Sequence, residues 1–259
     1  MKPAQRALDP RRISATSLAL AAAAVVAWVI TVAWIRSGDR GAMPGTMGMG
    51  VASFIVMWGL MMAAMMLPSV SPFVVAYRAT ITESRPRRLA SLAAGYLLVW
   101  TAVGLVAYVV AGWFGSLAAD RPGPAQAIAV ATFALVGVYQ LTPLKFRCLS
   151  HCRSPLGHLV HYLGFTGATR DLRAGASHGW FCLGCCWALM LLMIAFGVMN
   201  VAAMVGLAAV IAIEKVWRHG EAFARAVGVA CLVSAVVLVF EPGLAPGLDP
   251  GAVMRDMSG

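Results

Sequence analysis

Residues 176–217 read ASHGWFCLGCCWALMLLMIAFGVMNVAAMVGLAAVIAIEKVW, an apolar run of 42 residues whose only charges, Glu214 and Lys215, come at its far end. A helix rises about 1.5 Å per residue, so one continuous helix here would run roughly 60 Å. That is twice the ~30 Å hydrocarbon core of a bilayer. The run therefore divides into two membrane spans, and Gly197 and Asn200 mark the break.

The same ruler, about 20 mostly apolar residues per span, finds five more candidates: Ser14–Ile35, Val51–Tyr77, Leu89–Gly115, Ala125–Thr142 and Ala222–Phe240, the last ended by Pro242. The expected fold is all-α: a polytopic transmembrane helix bundle of about seven spans. It forms a single integral membrane domain over residues 1–259, with 13 N-terminal cytoplasmic residues and a Pro/Gly-rich mobile tail from about 242. Composition points the same way. Apolar residues make up 61% of the chain and charged ones 12%, with a mean hydropathy of +0.81, where a soluble domain is about a quarter charged. This excludes a soluble enzyme, a nucleic-acid-binding domain and a disordered chain.

The net charge of +10 is a topology signal. With the N-terminus in the cytoplasm, the inner segments carry 16 of the 20 basic residues, among them Arg11, Arg12, Arg85, Arg87, Arg88, Lys145, Arg147, Arg170 and Arg173. Only Arg36, Arg40, Arg121 and Arg255 fall outside. The positive-inside rule then sets the N-terminus in the cytoplasm and the C-terminus outside, in the cell inner (plasma) membrane. The apolar run near Met1 is longer than a signal-peptide core and carries Trp28 and Trp34, so it reads as a retained anchor.

Three groups of side chains carry chemistry. His178, Cys182, Cys185 and Cys186 recur at spacings of three and four, which set side chains on one helical face. Soft thiolates select Cu(I), Zn(II) or iron–sulfur clusters, and a Cys-x-x-Cys also serves as a dithiol redox pair. Cys148, His151 and Cys152 form the second group, in the inner loop Pro143–Gly175 and beside Lys145, Arg147 and Arg153. Such cations favour the thiolate form. The loop lies on the same side as His178, so Cys148 and Cys152 are expected to fold against Cys182. His158 and His161 read as part of an amphipathic interfacial helix. The third group is methionine: Met57, Met61 and Met65 repeat every four residues, flanked by Met62 and Met66, and Met43, Met47 and Met49 precede them in a Gly-rich outer loop. Thioethers are soft ligands suited to Cu(I), although methionine is also adaptable core filler.

Pro68 and Pro72 are expected to interrupt the second span, with Ser69 and Ser71 at a cavity or gate. Glu214 and Lys215 sit where intramembrane charges are functional candidates, or where they snorkel to the headgroups. There is no Walker loop, no His-Glu-x-x-His and no Gly-x-Ser-x-Gly, so no catalytic residue stands out beyond cysteines or a bound metal.

The stretches WGLMMAAMMLPS (58–69), YQLTPLKFRCLSHCRSP (139–155), GWFCLGCCWALM (179–190), GVMN (197–200) and the Glu214–Lys215 pair together resemble a bacterial family of predicted metal-binding integral membrane proteins, some labelled copper chaperones. The resemblance spans about residues 55–217 and implies membrane location and metal binding.

The expected function is soft-metal handling, Cu(I) first and zinc second, as chaperone, assembly factor or transporter. The outer methionines would capture the ion. Met57, Met61 and Met65 would relay it, and Cys148, Cys152, Cys182, Cys185 and Cys186, with His178, would hold it. The implied partners are the lipid bilayer, the metal ion and a metalloenzyme or periplasmic copper protein; nucleic acid is not one. Two other readings stay open: a membrane thiol–disulfide oxidoreductase, and a structural subunit without metal.

Overall fold

The computed structural model describes residues 10–37, 46, 48–81, 85–120, 122–154, 159, 161–162, 164–196 and 200–241. These carry eight helices: α1 (Pro10–Ser37), α2 (Val51–Ala79), α3 (Arg85–Asp120), α4 (Pro122–Gln140), α5 (Pro143–Arg153), α6 (Arg170–Phe196), α7 (Val201–Val216) and α8 (Gly220–Phe240). No strand occurs among the described residues, and the fold is all-α. The tail from residue 242, the first nine residues, Met43 and Met47 lie outside the described residues.

Five helices are long and apolar enough to cross a membrane alone: those over Ala15–Ser37, Val51–Ala79, Pro86–Trp113, Arg170–Met193 and Gly220–Phe240. A sixth candidate is the pair α4–α5, bent by 64° at the break between them. The long run at 176–217 does divide, with α6 ending at Phe196 and α7 beginning at Val201. Asn200 caps α7, its side-chain oxygen accepting from Ala203 N at 3.0 Å, as an N-cap should. At 16 residues, α7 is about 24 Å long, which is why it falls short as a span by length.

Two expectations are corrected. Pro143–Arg153 is a helix, where the sequence reading had only loop. Thr142 starts it by accepting from Lys145 N at 3.3 Å, and Pro143 occupies the first turn, where its missing N–H costs nothing. Nor do Pro68 and Pro72 break α2, which runs through both to Ala79. The Ser69 hydroxyl donates to Met66 O at 2.9 Å within the same turn.

Burial identifies the centre of the bundle. Within an 18-residue apolar stretch of each span, 56% of residues lie inside in α6 and 44% in α2, against 22% in α1 and α3 and 28% in α8. The outer faces are aliphatic: Val25, Val29, Val106, Val109, Val233 and Val236 are all more than half exposed, as a lipid-facing surface requires. The tightest crossing is α3 on α6. A Cβ on Gly95 would land on the Leu172 carbonyl, and one on Gly175 would land on the Leu92 carbonyl. Small residues let membrane helices approach closely where lipid supplies no hydrophobic drive between them. Tyr77 and Arg88 close the end of this crossing on Asp171, at 2.7 Å and 2.9 Å.

Candidate metal centre

The cysteine turn of α6 is wholly interior: Cys182, Cys185 and Cys186 are at most 1% exposed. Helical geometry aims the thiols of Cys185 and Cys186 back along the turn, and both donate to Cys182 O, at 3.1 and 2.9 Å. Because α5 packs across α6, Cys152 Sγ comes within 3.8 Å of Cys185 Sγ. Cys148, half-buried, has its sulfur against Gly184 of the same turn. All six cysteines are free thiols.

Cys182 has a different environment. Lys215 Nζ approaches its sulfur to 3.1 Å, and Tyr96 Oη lies 3.1 Å away. Lys215 is only 7% exposed and also donates to Ser69 Oγ at 3.2 Å. A buried ammonium must be matched by an opposite charge or strong acceptors, and a Cys182 thiolate is such a partner. The preceding residue faces the other way. Glu214, 1% exposed, accepts from Lys145 Nζ and Gln140 Nε2, both at 2.6 Å. Lys145 is completely buried and also donates to the Cys185 carbonyl. Neither Glu214 nor Lys215 snorkels to the surface, because each finds an interior partner on another helix.

Two of the three cations beside Cys148 and Cys152 in sequence are engaged elsewhere. Lys145 pairs with Glu214, and Arg153 donates to the carbonyls of Glu214, Trp217 and Arg218 at the end of α7. The cation that reaches a thiol is Lys215, 33 positions from Cys182 in the chain. Tyr96 and Gln140 were missed in the sequence, and Lys145 was read as a neighbour of Cys148 and not as the partner of Glu214. The signal available was a polar side chain inside an apolar span for Gln140, and for Lys145 the Thr-Pro helix start two residues earlier.

His178 belongs to an aromatic cluster one turn before Cys182. Its ring stacks on Phe73 at 3.9 Å, and its Nδ1 lies 3.5 Å from the Tyr162 hydroxyl. The same hydroxyl meets His151 Nε2, and His151 stacks on Phe181 at 3.7 Å. Burial pushes the Tyr162 phenol above its ordinary pKa, so it remains a proton-bearing bridge between the two imidazoles. His161 is exposed, and His158 lies outside the described residues.

Met57, Met61, Met62, Met65 and Met66 are buried to 2% exposure or less and form part of the central core. Along α2 the row runs from Met57 towards Ser69, about 18 Å by helical rise, and Ser69 is the residue that meets Lys215. Met49 is also buried, at 8% exposure, so its expected display in an exposed loop is corrected: it packs into the top of the same core.

Among the described residues, no three His, Cys, Asp or Glu side chains converge as a ready-made metal cage. The donor set suits a soft ion with few ligands. Metal–sulfur bonds of about 2.3 Å let one ion bridge sulfurs up to about 4.6 Å apart, and the Cys152–Cys185 separation falls inside that limit.

No curated protein and no solved structure matches the chain significantly. A family described as copper chaperone (PpoB2) matches residues 55–238. That segment holds the methionine rows, α5, the cysteine turn and the Glu214–Lys215 pair, and the chain belongs to this copper-chaperone family.

Proposed function

We propose that the protein handles Cu(I) within the membrane, taking the ion as cargo on the thiols of Cys152 and Cys185 with Cys182, Cys186 and Cys148 beside them. The supporting observation is the meeting of Cys152 from α5 with Cys185 from α6 at 3.8 Å inside an apolar bundle, next to a buried lysine on Cys182. Thiolate and thioether sulfur prefers Cu(I) over harder ions, zinc being the second candidate. The methionines of α2, Met57, Met61 and Met65, serve as the approach. His178 closes the inner end. Copper entering as Cu(I) displaces thiol protons, and Lys215 supplies the positive charge that a two-thiolate Cu(I) unit lacks.

The proposed topology is seven spans, with α7 as the short seventh member, the N-terminus in the cytoplasm and the C-terminus outside. The membrane is the inner (plasma) membrane. A metalloenzyme or exported copper protein is the proposed recipient. The test is copper content of detergent-purified protein after anaerobic Cu(I) loading and desalting. Wild type should retain copper stoichiometrically, and the triple variant Cys152→Ser, Cys182→Ser, Cys185→Ser should retain background only. Equal copper in both would refute the thiol centre.

The 3.8 Å sulfur pair also favours a second reading, thiol–disulfide exchange between Cys152 and Cys185. That reading demands a reversible Cys152–Cys185 disulfide and trapped mixed disulfides with a partner dithiol. The copper reading demands thiols that metal protects from alkylation.

A further inference from the structure

A second space lies away from the thiols, where α1 and α3 both pack on α2. It measures about 210 Å³ and runs along the helices, from Leu20 to Thr16 on α1, Leu67 to Val74 on α2 and Tyr96 to Leu89 on α3. The two longer stretches each rise about 10 Å. Ala19 is exposed and Ala93 half-buried, and both line the space, so it opens as a slot to lipid between α1 and α3. An empty apolar cavity of about 150 Å³ holds a benzene ring, so this one has room for a run of methylenes laid lengthwise.

The two ends of the slot differ. At the deep end Tyr96 turns its hydroxyl to Cys182. At the shallow end Arg78 donates to the Thr16 hydroxyl, which holds a guanidinium at the mouth. The register repeats on all three helices: Arg12 stands four residues before Thr16, Arg78 four after Val74 and Arg85 four before Leu89. Positions four apart share a helical face and lie about 6 Å further along it. Because α2 runs opposite to α1 and α3, the three positions fall at one end of the bundle. Residues 9–12 and 78–88 together hold six arginines against two acidic residues, Asp9 and Glu83, and of the six Arg88 is paired with Asp171.

A narrow apolar slot that follows the spans, with cations at its mouth and one turn beyond, matches an amphiphile: a hydrocarbon chain inside and an anionic head outside. A zwitterionic head would bring its own ammonium into this cationic end, whereas an anionic head brings none. We propose that the slot seats one acyl chain of an anionic phospholipid, with the phosphate accepting from Arg78 and the positions of Arg12 and Arg85 beside it. Guanidinium groups hold phosphate oxygens in pairs, and basic pockets between membrane helices collect anionic head groups. The leaflet is the one at the N-terminal end of α1. The site is independent of the copper reading.

The test loads the full-length protein in detergent with phosphatidylglycerol, or with phosphatidylcholine of the same chains, and counts retained lipid by native mass spectrometry. Wild type should retain one phosphatidylglycerol and hold it about tenfold better than phosphatidylcholine, the scale of one charged hydrogen bond. Arg78→Gln, which removes the charge at the mouth, should lose that preference. Ala19→Trp fills the slot from its exposed wall and should lower retention of both lipids. Val233→Trp, on a lipid-facing position of α8 that is 57% exposed, should behave as wild type, and elution and copper content should be unchanged in all three variants. The site is refuted if wild type retains neither lipid or both equally, if Arg78→Gln or Ala19→Trp binds like wild type, or if Val233→Trp loses as much lipid as Ala19→Trp.

Discussion

Lys215 and Glu214 are neighbours in sequence and opposites in the structure. One reaches the Cys182 thiol and the other the Lys145 ammonium. Removing one partner of a buried ion pair leaves a bare charge, at a cost of about 3–5 kcal/mol, whereas replacing both with apolar residues is often neutral. Glu214→Leu is therefore expected to lower the unfolding temperature sharply, and Glu214→Leu with Lys145→Met to recover most of the loss, as thermal unfolding in detergent would show. Lys215→Met removes the counter-charge at Cys182. We expect its Cu(I) retention against a competing chelator to fall about tenfold, the scale of one charged hydrogen bond, with stoichiometry unchanged at saturating copper. At this scale the sequence shows which residues are present and hides their directions. The cysteine turn is legible because helical spacing is local. The Lys215–Cys182 contact is not, since it depends on how two helices rotate against one another.

Helices as units were legible wherever an apolar run was long. The division of residues 176–217 near Asn200 follows from length alone, and the Asn200 cap explains its place. The helix α5 was not legible because it is only 11 residues long and five of them are polar or charged, so a ruler for membrane spans passes over it. Thr142 and Pro143 were the local signs. Close packing of elements yields a sharp expectation. A Cβ at position 175 meets the Leu92 carbonyl, while one at Gly206 meets nothing within 4 Å. Gly175→Ala should thus lower the unfolding temperature and the yield of folded protein, and Gly206→Ala should leave both unchanged or slightly raised, as a helix gains from losing glycine. Equal behaviour of the two variants would contradict the α3–α6 crossing.

For the whole molecule, the excess of basic residues over acidic ones predicts where each segment lies. Reporter fusions offer the measurement: a fusion after residue 259 should be active only with an exported reporter, and one at the N-terminus only with a cytoplasmic reporter. Six spans, with α7 held short of one face, would place both ends on the same side instead. The class of fold was open to reading because bilayer thickness imposes one length on every span. The contacts among spans were closed to it because, in lipid, small residues and buried polar pairs set them, and neither leaves a periodic trace.

The last turn of α7 grips the cysteine turn through Lys215 and the α4–α5 elbow through Glu214. Twisting this short rod about its axis would tear both grips at once, so turning it like a key is forbidden. Any motion that parts Cys152 from Cys185 must either carry the end of α7 along with α5 or break the Lys145 and Arg153 contacts that bind the two together.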